Sequence, residues 1–298
     1  MNVKGAKQKS KNKRNIRLEL NEQIKQHKAT FVVYCILRVL VIAVGVRAFF
    51  RGNFEHTMLC ALSLVLFLMP AFVSKNFGIE IPSAFEIIVL LFIFSAEILG
   101  EISSFYIRYG YWDTMLHTIN GFMCAALGFS LVDIFNRSTK FRFRLSPFFL
   151  AFVAFCFSMT IGVLWEFFEF AGDMLFSYDM QKDIVVNTVT SVNLDPTFSS
   201  IPVTVGDIAD TVLITQSGEQ IALSQYGING YLDIGLIDTM KDLLVNFVGA
   251  VVFSIIGYFY VKTRGRRNRF AKGLIPTIRE DLPSVDAKVE TPDDVQGI

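Results

Sequence analysis

Asp113 and His117 stand one helical turn apart in GYWDTMLHTING (residues 110–121), at the entrance of a long apolar run. A second stretch, GLIDTMKDLLVN (residues 235–246), repeats Asp-Thr-Met as Asp238, Thr239 and Met240 and places Asp242 one turn further on. Each stretch is preceded by more acids: Glu97 and Glu101 before the first, and Glu166, Glu169 and Asp173 before the second. Spacings of three and four residues put the members of each group on one helical face. Carboxylates with a single histidine form an oxygen-rich donor set that suits Mg²⁺, Mn²⁺ or Ca²⁺. Structural zinc sites instead gather cysteines and several histidines. The same residues also fit a proton relay, or a general base at His117. His27 and His56 fall in a basic arm and a loop and are read as incidental.

The chain that must position these groups is strongly apolar: 298 residues, 52% hydrophobic, 30 Phe, 18% charged, mean hydropathy +0.46. That composition belongs to a bilayer rather than to water. Cys35, Cys60, Cys124 and Cys156 all lie in apolar runs without a CxxC pair, so they read as small core residues and supply neither a disulfide framework nor a thiolate metal site. The basic N-terminal stretch is too long for a cleavable signal, and the apolar run after it is long enough to be retained as a helix.

About 20 mostly apolar residues are needed to cross the hydrocarbon core. Six stretches qualify, at roughly 30–50, 57–74, 83–104, 113–135, 147–171 and 236–261. The fold expected is an all-α polytopic membrane protein with six transmembrane helices and a small strand-rich extracytoplasmic insert between helices five and six. Residues 1–29 form a basic arm, 30–176 hold helices one to five, 177–234 the insert, 235–262 helix six, and 263–298 a tail rich in charge and proline, read as disordered. Residues 1–29 carry nine Lys/Arg, and the segments after spans four and six are also basic. The loops after spans three and five hold one cation each, Arg108 and Lys182. The positive-inside rule then puts both termini in the cytoplasm and the insert outside. The insert has β-branched runs, with a hairpin turn expected at Ser217-Gly218.

This topology brings carboxylates on four helices to one outer depth. The candidate metal ligands are Asp113, His117, Glu166, Glu169, Asp173, Asp238 and Asp242, with His117, Glu166 and Asp242 as the candidates for chemistry. Glu97, Glu101 and Asn246 flank them, and Arg47, at the outer end of span one, is the nearest fixed cation. A lone acid at a helix start is ordinarily a favourable partner of the helix dipole. Several at one depth repel unless protonated or bridged by a cation. The repeated Asp-Thr-Met further predicts a parallel duplication, with spans three and four superposing on spans five and six.

WDTMLHTINGF, GVLWEFFEFAGDML, YDMQKD and GLIDTMKDLLVNFVGA together resemble the bacterial YjdF-like inner-membrane proteins, over roughly residues 30–262 without most of the insert. The resemblance implies a polytopic membrane protein and implies no activity. No G-x-S-x-G elbow, HExxH or P-loop is present. Three function classes stay open: a cation-dependent enzyme acting on a lipid or lipid-linked group, a proton- or cation-coupled transporter, and a non-catalytic scaffold. Membrane lipids are the expected partners, nucleic acid is not expected, and the sequence leaves the oligomeric state open.

Overall fold

A computed structural model describes residues 28–77, 79–137, 145–263 and 273–278. Six helices in it are long and apolar enough to cross a membrane: Lys28–Phe50, Phe54–Asn76, Ser83–Ile102, Trp112–Asp133, Pro147–Phe176 and Leu236–Lys262. They are spans one to six below. The cation-rich segments that set the expected orientation lie mostly outside the described residues. The ends of the bundle are therefore named by what they carry: an insert end, and an opposite end.

Local chemistry fixes several helix boundaries. Asn53 opens span two by accepting the His56 N–H through its side chain (3.0 Å). Ser146 opens span five by accepting the Phe149 N–H (3.2 Å), with Pro147 at the first helical position, where no N–H partner is needed. Span five runs 30 residues, about 45 Å at 1.5 Å per residue, and so outruns a hydrocarbon core of about 30 Å. It stops at Ser177, whose φ of 56° is left-handed. Span six starts after Gly235 (φ 83°), and the free N–H of Ile237 is taken by Asp233 (2.7 Å). Span three is the irregular one: Ser83–Phe94 is α-helical and Ser95–Ile102 winds as a π-helix.

The helices sort into two trios. Spans one, two and three meet around Leu37, Val41, Cys60, Phe67, Leu90 and Ile93. Spans four, five and six pack along one another around Ala125, Phe129, Leu150, Ala154, Ala250 and Phe253. Spans four and six run the same way, and they touch backbone to backbone. A Cβ on Gly121 would lie 2.1 Å from the Asn246 carbonyl oxygen, and one on Gly249 would lie 2.1 Å from that of Thr118. Small residues are what allow membrane helices to approach so closely.

The expected duplication is met in part. In register, Asp113 answers to Asp238, His117 to Asp242 and Gly121 to Asn246, and the last two pairs do face each other across the interface of spans four and six. Spans three and five, however, do not occupy equivalent places. Span five lies along both partners, whereas span three packs chiefly within the first trio. The π-helical turn changes the phase of its last eight residues, and span five has no such turn.

The insert carries three two-stranded antiparallel ladders: β2 (Val185–Val186) with β7 (Tyr231–Leu232), β3 (Val189–Ser191) with β4 (Val203–Val205), and β5 (Val212–Ile214) with β6 (Gln220–Ala222). The hairpin turn sits where expected but is one residue longer. Thr215 and Glu219 close it, and Gly218 supplies the left-handed position (φ 84°). Between β3 and β4 the Asp195 carboxylate accepts N–H and O–H bonds from Thr197 and Ser199 (2.6–2.9 Å), which hold its pKa well below the ordinary range. Residues 273–278, within the stretch read as an unstructured tail, fold back instead. Leu274, Ile275 and Pro276 are buried at the opposite end, Ile275 against the second trio's core, and β8 (Thr277–Ile278) pairs with β1 (Ile79–Glu80). Gly-Leu-Ile-Pro is the apolar run that makes this possible.

Candidate cation site

Asp113 and His117 sit in the first turns of span four, and Asp242 is equally near the start of span six. At 1.5 Å per residue, His117 and Asp242 lie about 8–9 Å inside their helix starts, so they share one depth. Span five packs against both helices, with Glu166 and Glu169 on its inner face. Tight local packing places all of them. The Gly121–Asn246 and Gly249–Thr118 approaches draw spans four and six together, and Gly162 on span five leaves room for the Asn246 amide, which a Cβ there would meet at 2.6 Å.

The result is a cluster around one imidazole. His117 Nε2 lies 3.5 Å from Asp113 Oδ1 and 4.0 Å from Asp242 Oδ2, while Nδ1 lies 3.7 Å from Glu166 Oε1. Two sets of donor atoms gather within 4.8 Å of one another: Asp113, His117 and Asp242, and His117, Glu166 and Glu169. His117, Glu166, Glu169 and Asp242 are buried, at 8%, 4%, 9% and 1% exposure. Among the described residues, both Glu166 oxygens and Asp242 Oδ1 are buried with no hydrogen-bond partner. Buried polar atoms are nearly always paired, so three orphan carboxylate oxygens in one place call either for bound protons or for a counter-charge.

The remaining sequence candidates divide by what already occupies them. Asp173 does not join the cluster: its oxygens accept the N–H groups of Met180 (2.6 Å) and Gln181 (2.9 Å). Asp238 is likewise engaged, accepting the Lys182 N–H (2.9 Å) and lying 3.5 Å from Lys241 Nζ. These two acids anchor the strap Met180–Lys182 over spans five and six, and Gln181 Nε2 donates to Thr239 Oγ1 (2.5 Å) to close it. The strap lies within the YDMQKD stretch, but its contacts have no periodicity from which they could be read. Glu97 is half-buried and Glu101 exposed on the π-helical turn, and neither belongs to the two donor sets. Arg47 is exposed on span one and, among the described residues, makes no ion pair with the cluster. It does not balance these acids.

Three supporting residues were not singled out from the sequence. Trp165 Nε1 donates to Glu169 Oε1 (2.7 Å) while its ring stays 45% exposed on the outer surface of span five. One side chain therefore separates the cluster from the surrounding lipid. Tyr106 lies over Gly100 at the end of span three. Burial and the carboxylates of Asp113, Glu101, Glu97 and Glu169 push its hydroxyl pKa far above the ordinary tyrosine value. Asn120 completes a polar layer one turn deeper: its amide donates to Asn246 Oδ1 (3.4 Å), and Ser158 Oγ donates to the Gly121 carbonyl (2.7 Å). Below that layer the bundle closes with Phe122 edge-on to Phe253 (5.1 Å) and Phe253 against Phe129 (6.1 Å).

Comparisons with known proteins agree with this architecture and stop at it. An uncharacterized protein of Thermotoga maritima is 24% identical over 155 residues, covering 51% of this chain and 71% of the relative. No solved structure matches. Residues 30–195 match the family described as predicted membrane protein DUF2238, a stretch that includes Asp113, His117, Glu166 and Glu169 and ends before Asp242. That stretch is more than half of the chain, and the chain belongs to the DUF2238 family of membrane proteins.

Proposed function

We propose that the protein is a membrane enzyme that holds a divalent cation among Asp113, His117, Glu166, Glu169 and Asp242 and acts on a lipid or lipid-linked group. The observation that carries this reading is the set of three buried, unpartnered oxygens on Glu166 and Asp242 beside His117. Two carboxylates about 4 Å apart repel by roughly 4 kcal/mol at an effective dielectric near 20. A dication offsets that repulsion and supplies a Lewis acid or an activated water. Oxygen-rich donors favour Mg²⁺, Mn²⁺ or Ca²⁺.

Two further features favour an enzyme over a carrier. Trp165 brings the lipid-facing surface within one side chain of Glu169. The Phe122–Phe253–Phe129 stack gives the site an apolar floor, as suits chemistry performed from one side. A proton- or cation-coupled transporter is the second reading, and the Asn120–Asn246–Ser158 layer speaks for it, since it carries polarity one turn towards the opposite end. The charge distribution supports an insert end facing outward and both termini in the cytoplasm. The motifs shared with the YjdF-like proteins support a likeness to that group and, with it, a bacterial inner membrane.

The test is a thermal melt of purified protein with Mg²⁺, Mn²⁺, Ca²⁺ or chelator. A cation at about 100 times its Kd adds roughly 2.7 kcal/mol. A concentration-dependent rise in Tm with one of the three, reversed by chelator, is the expected result. Identical melts in all conditions would remove the cation from the reading.

A further inference from the structure

The cation reading leaves open where in the cluster the ion sits, and the His117 ring answers it. A neutral imidazole has one lone pair and one N–H, so it can ligate an ion on only one edge and must donate a hydrogen bond from the other. The two edges face different surroundings. Nε2 meets Asp113 at 3.5 Å and Asp242 at 4.0 Å, on two different helices. Two metal–ligand bonds of about 2.1–2.6 Å meeting at the right angle of octahedral coordination span about 3.0–3.7 Å, so these gaps are close to the size an ion fills. Nδ1 meets Glu166 at 3.7 Å, and the other carboxylate on that side, Glu169, is already bonded to Trp165. One edge thus offers two carboxylates to an ion, and the other offers the buried Glu166 carboxylate to an N–H.

Building on the proposed cation site, we propose that the ring divides it: a divalent cation binds on the Nε2 side between Asp113 and Asp242, and Glu166 is a positioning residue that accepts the Nδ1–H and fixes that tautomer. The two sides have independent support, because each carries an orphan oxygen nine-tenths or more buried: Asp242 Oδ1 beside the ion, and Glu166 Oε1 and Oε2 beside the N–H. Carboxylates that orient a ligating histidine from its far edge are a recurrent part of metal sites, and losing one typically costs 10- to 100-fold in metal affinity. Such bonds are often long before the site is loaded and tighten with it. The ion then cross-links spans four and six, and Glu166 ties span five to that link through the ring.

The experiment is a titration of full-length protein in detergent with Mn²⁺, read by the loss of the free-ion paramagnetic signal, alongside Glu166→Gln, Glu166→Leu, Asp113→Asn and Asp242→Asn. Glutamine keeps a carbonyl acceptor for the Nδ1–H, so Glu166→Gln is expected to bind within about threefold of wild type. Glu166→Leu removes the acceptor and is expected to lose about 10- to 100-fold. Asp113→Asn and Asp242→Asn, which remove ligands, are expected to lose more than Glu166→Leu. Solid-state nitrogen NMR of histidine-labelled wild type with Cd²⁺ as a diamagnetic probe requires no variant: the Nε2 resonance of His117 should shift, with Nδ1 keeping its proton. Loss in Glu166→Gln as large as in Asp242→Asn, or a shift at Nδ1, overturns the division of the ring while leaving the cation in place. No binding by wild type overturns the cation reading itself.

Discussion

In the trio of spans one to three the helices meet through side chains of ordinary size, Leu37, Val41, Phe67, Leu90 and Ile93, and the buried Ser63 hydroxyl bonds back to Leu59 in its own helix. Arg38, half-buried within span one, rests over the Tyr34 ring (4.7 Å) rather than facing a carboxylate. In the trio of spans four to six the helices meet through Gly121, Gly162 and Gly249, and the polar groups reach across: Ser158 to span four, and Asn246 to spans four and five. In lipid the gain from such contacts comes from close packing and satisfied polar groups, since hydrocarbon tails are as apolar as leucine. Removing side chains at the crossings brings the backbones near enough for three helices to share one polar interior, and the carboxylates stand at the mouth of that interior. Among the described residues the first trio, which meets mainly through larger side chains, gathers no comparable donor set.

If glycine contact is what makes the second trio a site, the largest effect should follow from filling it. Gly121→Leu and Gly249→Leu put a Cβ 2.1 Å from a backbone carbonyl oxygen, which no side-chain rotation relieves. Overpacking of this kind costs about 3 kcal/mol or more where the backbone must move. In the first trio, Gly45→Ala meets the Cys60 side chain, its Cβ at 3.1 Å and its Sγ at 3.5 Å, and should cost about 1 kcal/mol or less. Thermal melts of the three variants in one detergent give the comparison. Equal losses would mean that the two trios pack by the same rule.

The next effect reverses sign with conditions. Asp242 is 1% exposed and its Oδ1 has no partner, so without a cation its charge works against folding. Asp242→Asn is therefore expected to melt higher than wild type in chelator, by the equivalent of about 1–3 kcal/mol. In Mg²⁺ or Mn²⁺ at about 1,000 times Kd the order should invert, because wild type gains about 4.1 kcal/mol and the variant does not. A variant that melts lower than wild type in both conditions would make Asp242 a structural acid.

How far the sequence disclosed all this depends on which force did the placing. Hydropathy placed the six spans to within a few residues, the largest shift being the continuation of span five from the expected 171 to Phe176. Helical spacing identified Asp113, His117, Glu166, Glu169 and Asp242, since side chains three or four residues apart must share a face. Asp173 and Asp238 obeyed the same spacing and yet belong to the strap. What separates them is the loop conformation after Ser177, where left-handed backbone turns the amides of Met180 and Lys182 onto them. Glu97 and Glu101 stand outside the two donor sets, and the π-helical turn that carries them breaks the period from which their direction was inferred. Trp165 and Tyr106 carry no signal beyond aromaticity, which in a membrane sequence reads as interface.

A smaller effect belongs to Trp165. Its indole N–H holds Glu169 at 2.7 Å, and hydrogen bonds to charged groups contribute about 1.5–3 kcal/mol. With the ring 45% exposed to the surroundings, Trp165→Phe keeps most of the apolar contact and removes the donor, for an expected loss near 1.5 kcal/mol. It should also weaken cation binding less than Asp113→Asn does, since Glu169 stands on the far side of the ring from the ion. A larger loss of binding in Trp165→Phe would move the ion to the Glu166–Glu169 side.

The smallest effect separates the insert from the bundle through two buried carboxylates with opposite surroundings. Asp242 lacks a partner for Oδ1, whereas Asp195 accepts N–H and O–H bonds from both Thr197 and Ser199. Those bonds favour the charged form, so the folded-state pKa of Asp195 lies below its unfolded value of about 3.9. A carboxylate depressed in this way contributes its full stability above the unfolded pKa and loses it only as pH falls through the folded value. The amides of Thr197 and Ser199 should therefore keep constant protection, after correction for intrinsic exchange, from neutral pH down to about pH 5, and lose it only below about 3.9. Asp195→Ala should abolish that protection at every pH while leaving the cation-dependent melt of the bundle unchanged. Protection that falls between pH 7 and 5 would show that another group, and not the Asp195 turn, holds this part of the insert together.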